Sequence, residues 1–448
     1  MPVKMKLRVR IFLVLTVAFL FVVSFKILEP ELKDHGLHRE TRDFQDYYDF
    51  AEDGRISKDK YGKELDRIQH ITSDSIRQNS LVEKHSKSEL IADLIQKYKV
   101  NLNHEIKGSP WDVAAGWVTS RRIHPEEAPE MGAILNALAT RPIMAADVGF
   151  KGTQLKMTLV LEGNQKAVFK PKWYDRDYVV VGTPYSGADR HNGEIAAFHL
   201  IRLLGLNRAP LVVGRTVNLQ KEILPVSSTK LKSTFFQRDN NTCFYGQCLY
   251  CKSEEDGVCA DGEMLEGAVV LWLPRKWTFY KKHRSPWQRT YKEGKVARWE
   301  YDDTYCDTVR AVAPYDSGPR LLDLLDAVVV DYLIGNADRH HYETFANATD
   351  SMIIMLDNAK SFGNYYHDEK SILTPIKQCC LLRRTTWDRL QLLKDEVLSN
   401  VLRGILEADP LAPILIEPHL KALDRRLEHI LQELHLCVEQ KSEQKVFV

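Results

Sequence analysis

The sequence predicts an α+β fold in two lobes, a small β-rich one leading and a larger, mainly helical one following, stapled by disulfides. Three observations predict it. Short β-type runs, "LKMTLVLE" and "KAVFKP", are joined by the turn signal "GNQ". Runs with apolar residues at helical spacing, "LLDLLDAVVVDYLIG" and "EPHLKALDRRLEHILQELHLC", mark the second half. The cysteines number eight, an even count: Cys243, Cys248, Cys251, Cys259, Cys306, Cys379, Cys380 and Cys437.

At 448 residues the chain has room for two or three domains, or one large bilobal one. A hydrophobic fraction of 44% allows a sizeable core. The net charge of +1 argues against bulk electrostatic binding of nucleic acid, and no nucleic-acid partner is expected.

The N-terminus carries Lys4, Lys6, Arg8 and Arg10, then an apolar run from Ile11 to Phe25. A basic flank before an apolar run is a secretory signal or a signal anchor. Leu28 extends the run toward the roughly 20 residues a spanning helix wants, if Lys26 snorkels. No small-x-small cleavage site follows. The expectation is therefore a cytoplasmic tail at 1–10 and an uncleaved type II anchor at 11–28, with the rest in the lumen; a secreted form would follow from cleavage. The cysteines agree with an oxidising lumen. "CFYGQCLYC" also contains a C-x-x-C step, but one step without a matched second pair is weak evidence for zinc. Sequons at Asn240 and Asn347 fit the same compartment.

Residues 29–103 are rich in charged and polar residues and read as a lumenal stem, partly helical at "SELIADLIQKY". Order begins near "SPWDVAAGWV", inside a leading lobe at 104–272 with a Cys-rich loop at 232–262. The second strand of the hairpin presents Lys170. A helix follows in "DRHNGEIAAFHLIRLLGL", with Glu194 near its start and Gly205 at its end. "GAVVLWLPRKW" is an apolar strand running into a Pro-containing connector. The second lobe spans 273–440, with a short tail at 441–448. There a helix delivers "IGNADRHHYETF", and "SMIIMLDNAKSFG" reads as an apolar strand that stops at Asp357 and turns at Gly363.

Four pieces thus stand in fixed order: strand Lys170, helix Glu194, loop Asp338 and turn Asp357. Phosphoryl transfer from a nucleotide requires such a set. A lysine neutralises phosphate oxygens and a helix carboxylate orients it. One carboxylate positions or deprotonates the attacking hydroxyl, and another binds the metal that bridges the phosphates. "AVFK" stands where V-A-I-K stands in protein kinases, Asp338 where the H-R-D aspartate stands, and "LDNAKSFG" resembles the D-F-G step. Each piece alone is weak, since a strand lysine usually lies on a solvated face. Their shared order predicts an atypical bilobal protein-kinase-like fold. The departures are specific. "GFKGTQ" holds only Gly149 and Gly152, so the phosphate cover uses other groups, Gln154 among them. "GNADRHH" lacks the H-R-D triplet, and Glu343 stands five residues after Asp338, where a kinase keeps a metal-binding Asn.

"GTQLK", "FKPK", "DRHNGEIAAFHL", "NNTCFYG", "LWLP", "RWEYDDTYC", "GNADRHHYE", "LDNAKSFG" and "QCC" together resemble the secretory-pathway kinases of the Fam20 family, over roughly residues 108 to 437. The short "YDRDYVVVGTPYSGA" link, "IGNADRHHYE" and "LDNAKSFGN" resemble the sugar-phosphorylating branch more than its protein-phosphorylating relative. That resemblance implies transfer of the ATP γ-phosphate to the 2-hydroxyl of xylose in the glycosaminoglycan–protein linkage region of proteoglycans, in the Golgi, with Mn²⁺. Oxygen ligands accept Mg²⁺ as well. It implies Asp338 as the catalytic aspartate, and Gln154, Lys170, Glu343 and Asp357 on the nucleotide. It implies Asp189 and Asp357 on the metal, and Leu273, Pro274, Arg275 and Lys276 at the adenine. Glu194 is the alternative partner of Lys170 and ranks below Asp189 as a metal ligand. The implied disulfides are Cys243–Cys259 and Cys248–Cys251, with Cys306 and Cys437 on the doublet in the order Cys306–Cys380 and Cys379–Cys437.

Two other functions stay in view: a Golgi protein serine kinase, and a pseudokinase that binds and activates a partner kinase. The latter's mark, loss of a metal or catalytic carboxylate, is absent, since Lys170, Asp189, Asp338 and Asp357 all stand. Whether the chain dimerises is left open. His340 and His341 look like metal ligands, but adjacent histidines rarely point at one ion, so loop-shaping hydrogen bonds are preferred. Asn336 reads equally as a helix cap. Arg284, Trp287 and Arg289 read as an acidic or sugar acceptor patch or as a solvated flap, and Trp299 as a sugar platform or core.

Overall fold

The computed structural model describes residues 86–149, 152–277, 280–290 and 294–448. The expected cytoplasmic tail, anchor and stem as far as residue 85 lie outside the described residues. Among the described residues no helix is long and apolar enough to cross a membrane. Up to the connector come α1 (Lys87–Tyr98), α2 (Pro110–Trp117), α3 (Met131–Thr140), β1 (Ile143–Val148), β2 (Met157–Leu161), β3 (Gln165–Pro171), α4 (His191–Leu203), β4 (Val212–Asn218), the single turn α5 (Thr229–Lys232), β5 (Phe235–Arg238), β6 (Asn241–Phe244), β7 (Val258–Cys259) and β8 (Met264–Leu271). Beyond it come β9 (Tyr280–Arg284), α6 (Tyr305–Arg310), α7 (Arg320–Ile334), β10 (His341–Phe345), α8 (Thr374–Cys379), α9 (Arg384–Leu392), α10 (Val397–Leu406), α11 (Glu417–Lys441) and α12 (Glu443–Val446).

The leading lobe is built on an antiparallel sheet in the order β1-β2-β3-β8-β4. The turn between β2 and β3 uses Gly163 and Asn164 at positive φ, residues that tolerate it. Alternation along β3 sends Ala167 and Phe169 into the core and Lys170 to the other face. Every residue of α4 is buried, because the helix packs on β4 and β8 and also meets α7 and α10. The Cys-rich loop is a small sheet, β5-β6-β7, rather than irregular chain.

In the second lobe α7 is almost wholly buried and packs against α4, α8 and α11. Helix α11 turns Leu420, Leu423, Leu427, Ile430, Leu431 and Leu434 inward. Each such side chain contributes about 1.5–3 kcal/mol as an upper estimate. Strand β9 follows the connector and β10 follows the helix that delivers Asp338, and the two pair antiparallel as a separate two-stranded sheet.

Several expectations change. The apolar run at 351–356 is extended and buried but pairs in only one bridge, Ile354 with Glu343. Its other amides serve loops: Met352 donates to Ser120 O and Met355 to Arg208 O. The helix assigned to the stem is docked, with Leu94 and Tyr98 buried. Ile95 lies so close to α10 that a Cβ on Gly404 would stand 2.5 Å from its Cδ1. The segment assigned to a tail is also docked, through buried Val446 and Phe447, the latter stacked on Trp387.

The disulfides are Cys243–Cys259, Cys248–Cys251, Cys306–Cys379 and Cys380–Cys437. This corrects the doublet, expected as Cys306–Cys380 and Cys379–Cys437. Cys379 is the last residue of α8, whereas Cys380 caps that helix in the left-handed region at φ 43°. The change in backbone hand between neighbours sends one thiol toward α6 and the other toward α11, and disulfide geometry then admits only this pairing.

Candidate active site

Strand β3 and helix α4 bring Lys170 and Glu194 together. Lys170 Nζ lies 3.0 Å from Glu194 Oε2, 2.6 Å from Asp357 Oδ1 and 3.6 Å from Asp189 Oδ2. Burial opposes its charge, but Asp357, Glu194 and Asp189 outweigh that and hold its pKa well above the ordinary lysine value. Glu194 Oε2 also accepts the Asn358 amide at 2.9 Å, which fixes the residue after Asp357.

The two remaining carboxylates sit in unlike surroundings. The Asp357 side chain is 75% exposed on the cleft. Its backbone has φ 58°, a region non-glycine residues seldom adopt. Lys170 beside it holds its carboxyl well below the usual range. Asp189 is buried, and burial pushes its carboxyl up to about 6 in spite of Lys170. Asp189 is thus a buried charge only partly compensated. With Asp357 it offers hard oxygen donors alone, a set that fits Mn²⁺ or Mg²⁺.

Asp338 reaches the cleft through a helix end. Gly335 closes α7 at φ 71°, and the amides of Gly335 and Asn336 return to Tyr332 O and Asp331 O. Asn336 Oδ1 then accepts the Asp338 amide at 3.1 Å, so Asn336 caps the helix and shapes the loop. Arg339 ties that loop to the Asp357 segment. It donates to Asp331 Oδ2, to Leu356 O at 2.8 Å and to Asn358 Oδ1 at 2.6 Å. His340 Nδ1 turns back onto Asp338 O at 2.7 Å, and hydrogen bonding to Asp338 raises its pKa. His341 belongs to β10, opposite Arg284. The two imidazoles meet edge to face and do not converge on one point. The described residues contain no cluster of three or more His, Cys, Asp or Glu side chains arranged to hold a metal.

Glu343 lies on β10 opposite Lys282, where burial raises its pKa against the pull of Arg339 and Lys282. Gln154 sits in the loop that leads into β2. The connector runs from buried Leu273 through Pro274 into a turn at Arg275–Trp277. Trp277 packs on Phe345, and Asn347 Nδ2 donates to Lys276 O at 3.0 Å. Trp287 and Trp299 are buried. Their indole N–H groups donate to Gln378 Oε1 and Gln288 O, and Arg289 donates to Ser371 Oγ. Trp287, Arg289 and Trp299 are packed walls of a small pocket beside Ala337, Arg339 and His340, whereas Arg284 is exposed on β9.

A sequence family described as "Golgi casein kinase, C-terminal, Fam20" matches residues 109–446. The chain belongs to the Fam20 family. It is 58% identical over 340 residues to a human protein named glycosaminoglycan xylosylkinase, covering 76% of this chain and 82% of that one. The solved structure of hydra Fam20 with sugar superposes with a TM-score of 0.74 at 48% identity, over 77% of this chain and 99% of that one. The Golgi casein kinase with Mn and ADP bound gives a TM-score of 0.74 at 33% identity, over 84% and 92%.

Three residues of this Fam20 chain gain a place that sequence reasoning had not assigned. Arg339 is the clasp just described. Lys156 runs beneath the glycine loop, so close that a Cβ on Gly152 would stand 2.7 Å from its Nζ. There it faces Asp357, Asp189 and Glu194 as a second cation beside Lys170. Its signal is the "GTQLK" string, where strand alternation alone suggests solvent. Lys360 stands on the turn after Asp357, with its carbonyl held by Arg190 and its ammonium on the Gly187 carbonyl. The Cys248–Cys251 loop also meets the glycine loop, since Leu249 donates to Gly152 O at 3.2 Å.

Proposed function

We propose that this Fam20 chain transfers the γ-phosphate of ATP to the 2-hydroxyl of xylose in the glycosaminoglycan–protein linkage region of proteoglycans. The observation that carries the chemistry is one cleft holding the Lys170–Glu194 pair, Asp189 and Asp357, with Asp338 on a loop clasped to it by Arg339. The acceptor is supported by the high identity to the human xylosylkinase.

Lys170, oriented by Glu194, neutralises phosphate oxygens, and the loop bearing Gln154 covers them. Leu273, Pro274, Arg275 and Lys276 meet the adenine, and Glu343 borders the nucleotide. Asp189 and Asp357 would hold Mn²⁺, or Mg²⁺ in its place; when bound, the ion neutralises charge across the phosphates. Asp338 accepts the proton of the attacking hydroxyl.

The same reading places the chain in the Golgi lumen behind an anchor at 11–28, with glycans on Asn240 and Asn347. Four disulfides support an oxidising compartment. Asn240 is exposed at the tip of the β5–β6 hairpin. Incubating the protein with Mn-ATP and either a galactosyl-xyloside or an acidic serine peptide tests the acceptor. Phosphate on the xyloside is expected. Phosphate on the peptide alone would make it a protein kinase, and none on either would return the pseudokinase reading.

A further inference from the structure

We propose that Lys360 is a catalytic residue whose ammonium binds the γ-phosphoryl group as it passes from ATP to the acceptor hydroxyl. This rests on the kinase reading above and adds a group that reading does not use.

Lys360 stands three residues beyond Asp357, in a turn held on every side. Glu194 accepts the Asn358 amide at its start, and Phe362 at its end donates to Ile334 O at 2.8 Å. The Arg190 guanidinium donates to the carbonyls of Lys360 and Ser361. The backbone of Lys360 is therefore pre-set. Among the described residues its ammonium hydrogen-bonds the Gly187 carbonyl and no carboxylate. An ammonium has three N–H donors, so two are left over for phosphoryl oxygens.

Two links place that ammonium near the proposed metal carboxylates. The Gly187 carbonyl it meets stands two residues before Asp189, and its own turn follows Asp357. The charges of Asp189, Asp338 and Asp357 favour its protonated form, against the charge of Arg190. Partial burial lowers its pKa and strips some of its water, which strengthens what it binds. The other cations have different places. Lys170 is spent on Glu194 and Asp357, and Lys156 lies with it under the glycine loop. Arg339 is committed to Asp331 and to Leu356 O. His340, two residues after Asp338, folds back onto the Asp338 carbonyl.

The chemistry needs a cation there. The acceptor oxygen bonds to Pγ as the bond from Pγ to the bridging oxygen breaks. The hydroxyl proton goes to Asp338, and the electron pair leaves with ADP. Charge spreads over the three equatorial oxygens of the moving group. A preorganised cation beside them stabilises that arrangement more than it stabilises bound ATP.

The test uses the full chain with Lys360→Met, which keeps length without charge, and Lys360→Gln, which keeps a donor for Gly187. With the acceptor that wild type uses, both should lower kcat by about 10²–10³-fold. Affinity for Mn-ADP should stay within about threefold. Both should lose the extra affinity that wild type shows for ADP with aluminium fluoride, a planar mimic of the moving phosphoryl group, over ADP alone. The proposal is overturned if either folded variant keeps kcat within about threefold. It is also overturned if Mn-ADP affinity falls as far as kcat, since Lys360 would then be only a strut to Gly187. Should Lys360→Met fail to fold, the Gln variant decides by the same criteria. The fluoride measurement needs no acceptor. It therefore still judges Lys360 if wild type phosphorylates neither xyloside nor peptide, the result that defeats the kinase reading itself.

Discussion

Asp338 and Asp357 are both aspartates on loops, yet their surroundings differ, and the proposed function gives them different tasks. Asp338 is held by Asn336 and flanked by His340, whereas Asp357 pairs with Lys170. Asp338→Ala should cut transfer by at least about 10³-fold while Mn-ADP still binds, as titration calorimetry would show. Asp357→Ala should instead abolish Mn²⁺-dependent nucleotide binding, because the bridged phosphates lose a ligand. If Asp338→Ala still turned over, its role here would be wrong. These residues were legible because a chemistry that needs Lys, Glu and two Asp in fixed order leaves a pattern on the chain. Lys156, Arg339 and Lys360 left no such pattern, since a lysine's or arginine's destination depends on the loop that folds over it.

Among the elements, helix α8 shows how one residue of backbone decides a covalent bond. Cys379 ends the helix and Cys380 leaves it in the opposite hand. Peptide mapping without reduction should therefore recover Cys306 with Cys379 and Cys380 with Cys437. The reverse pairing in the mapped peptides would contradict the fold. Losing the Cys380–Cys437 bond, which closes a separation of 57 residues, should cost about 2–5 kcal/mol by urea denaturation of Cys437→Ser. Sequence periodicity found the amphipathic helices and the β2–β3 hairpin. It misread the segment at 351–356, because an apolar run looks the same whether its amides meet a strand or a loop.

Across the whole molecule, α1 behaves as part of the fold. The Tyr98 hydroxyl donates to Glu126 and accepts from Arg389 at 2.7 Å, and Lys99 pairs with Glu407 at 3.0 Å. A chain beginning at Ser86 keeps α1 whole and is the reference for its docking. One beginning at His104 should lose about 3–5 kcal/mol as the sockets of Leu94 and Tyr98 empty. Equal melting temperatures for the two would refute the docking. Stability should also fall with acid through His124, which is fully buried with its Nε2 unpartnered among the described residues. Burial lowers its pKa to about 4, and that of His199 well below its ordinary value. Unfolded histidines bind protons near pH 6.5, which the folded chain refuses until about pH 4. Stability is therefore complete above pH 6.5 and falls as pH drops toward 4, by about 3 kcal/mol for His124 alone. Denaturation series across that range should show the slope, and His124→Leu should make it shallower, with His199 supplying the remainder. The sequence by itself determined the two-lobed α+β class, the kinase-like order of Lys170, Glu194, Asp338 and Asp357, and the Fam20 resemblance. All of these follow from residue types at short range along the chain. Only the tertiary structure decided which cysteine meets which, that α1 and the C-terminal segment dock, and that the Lys360 ammonium meets the Gly187 carbonyl. Each depends on contacts between segments far apart in sequence, where backbone hand and packing set the outcome and local pattern carries no record of it.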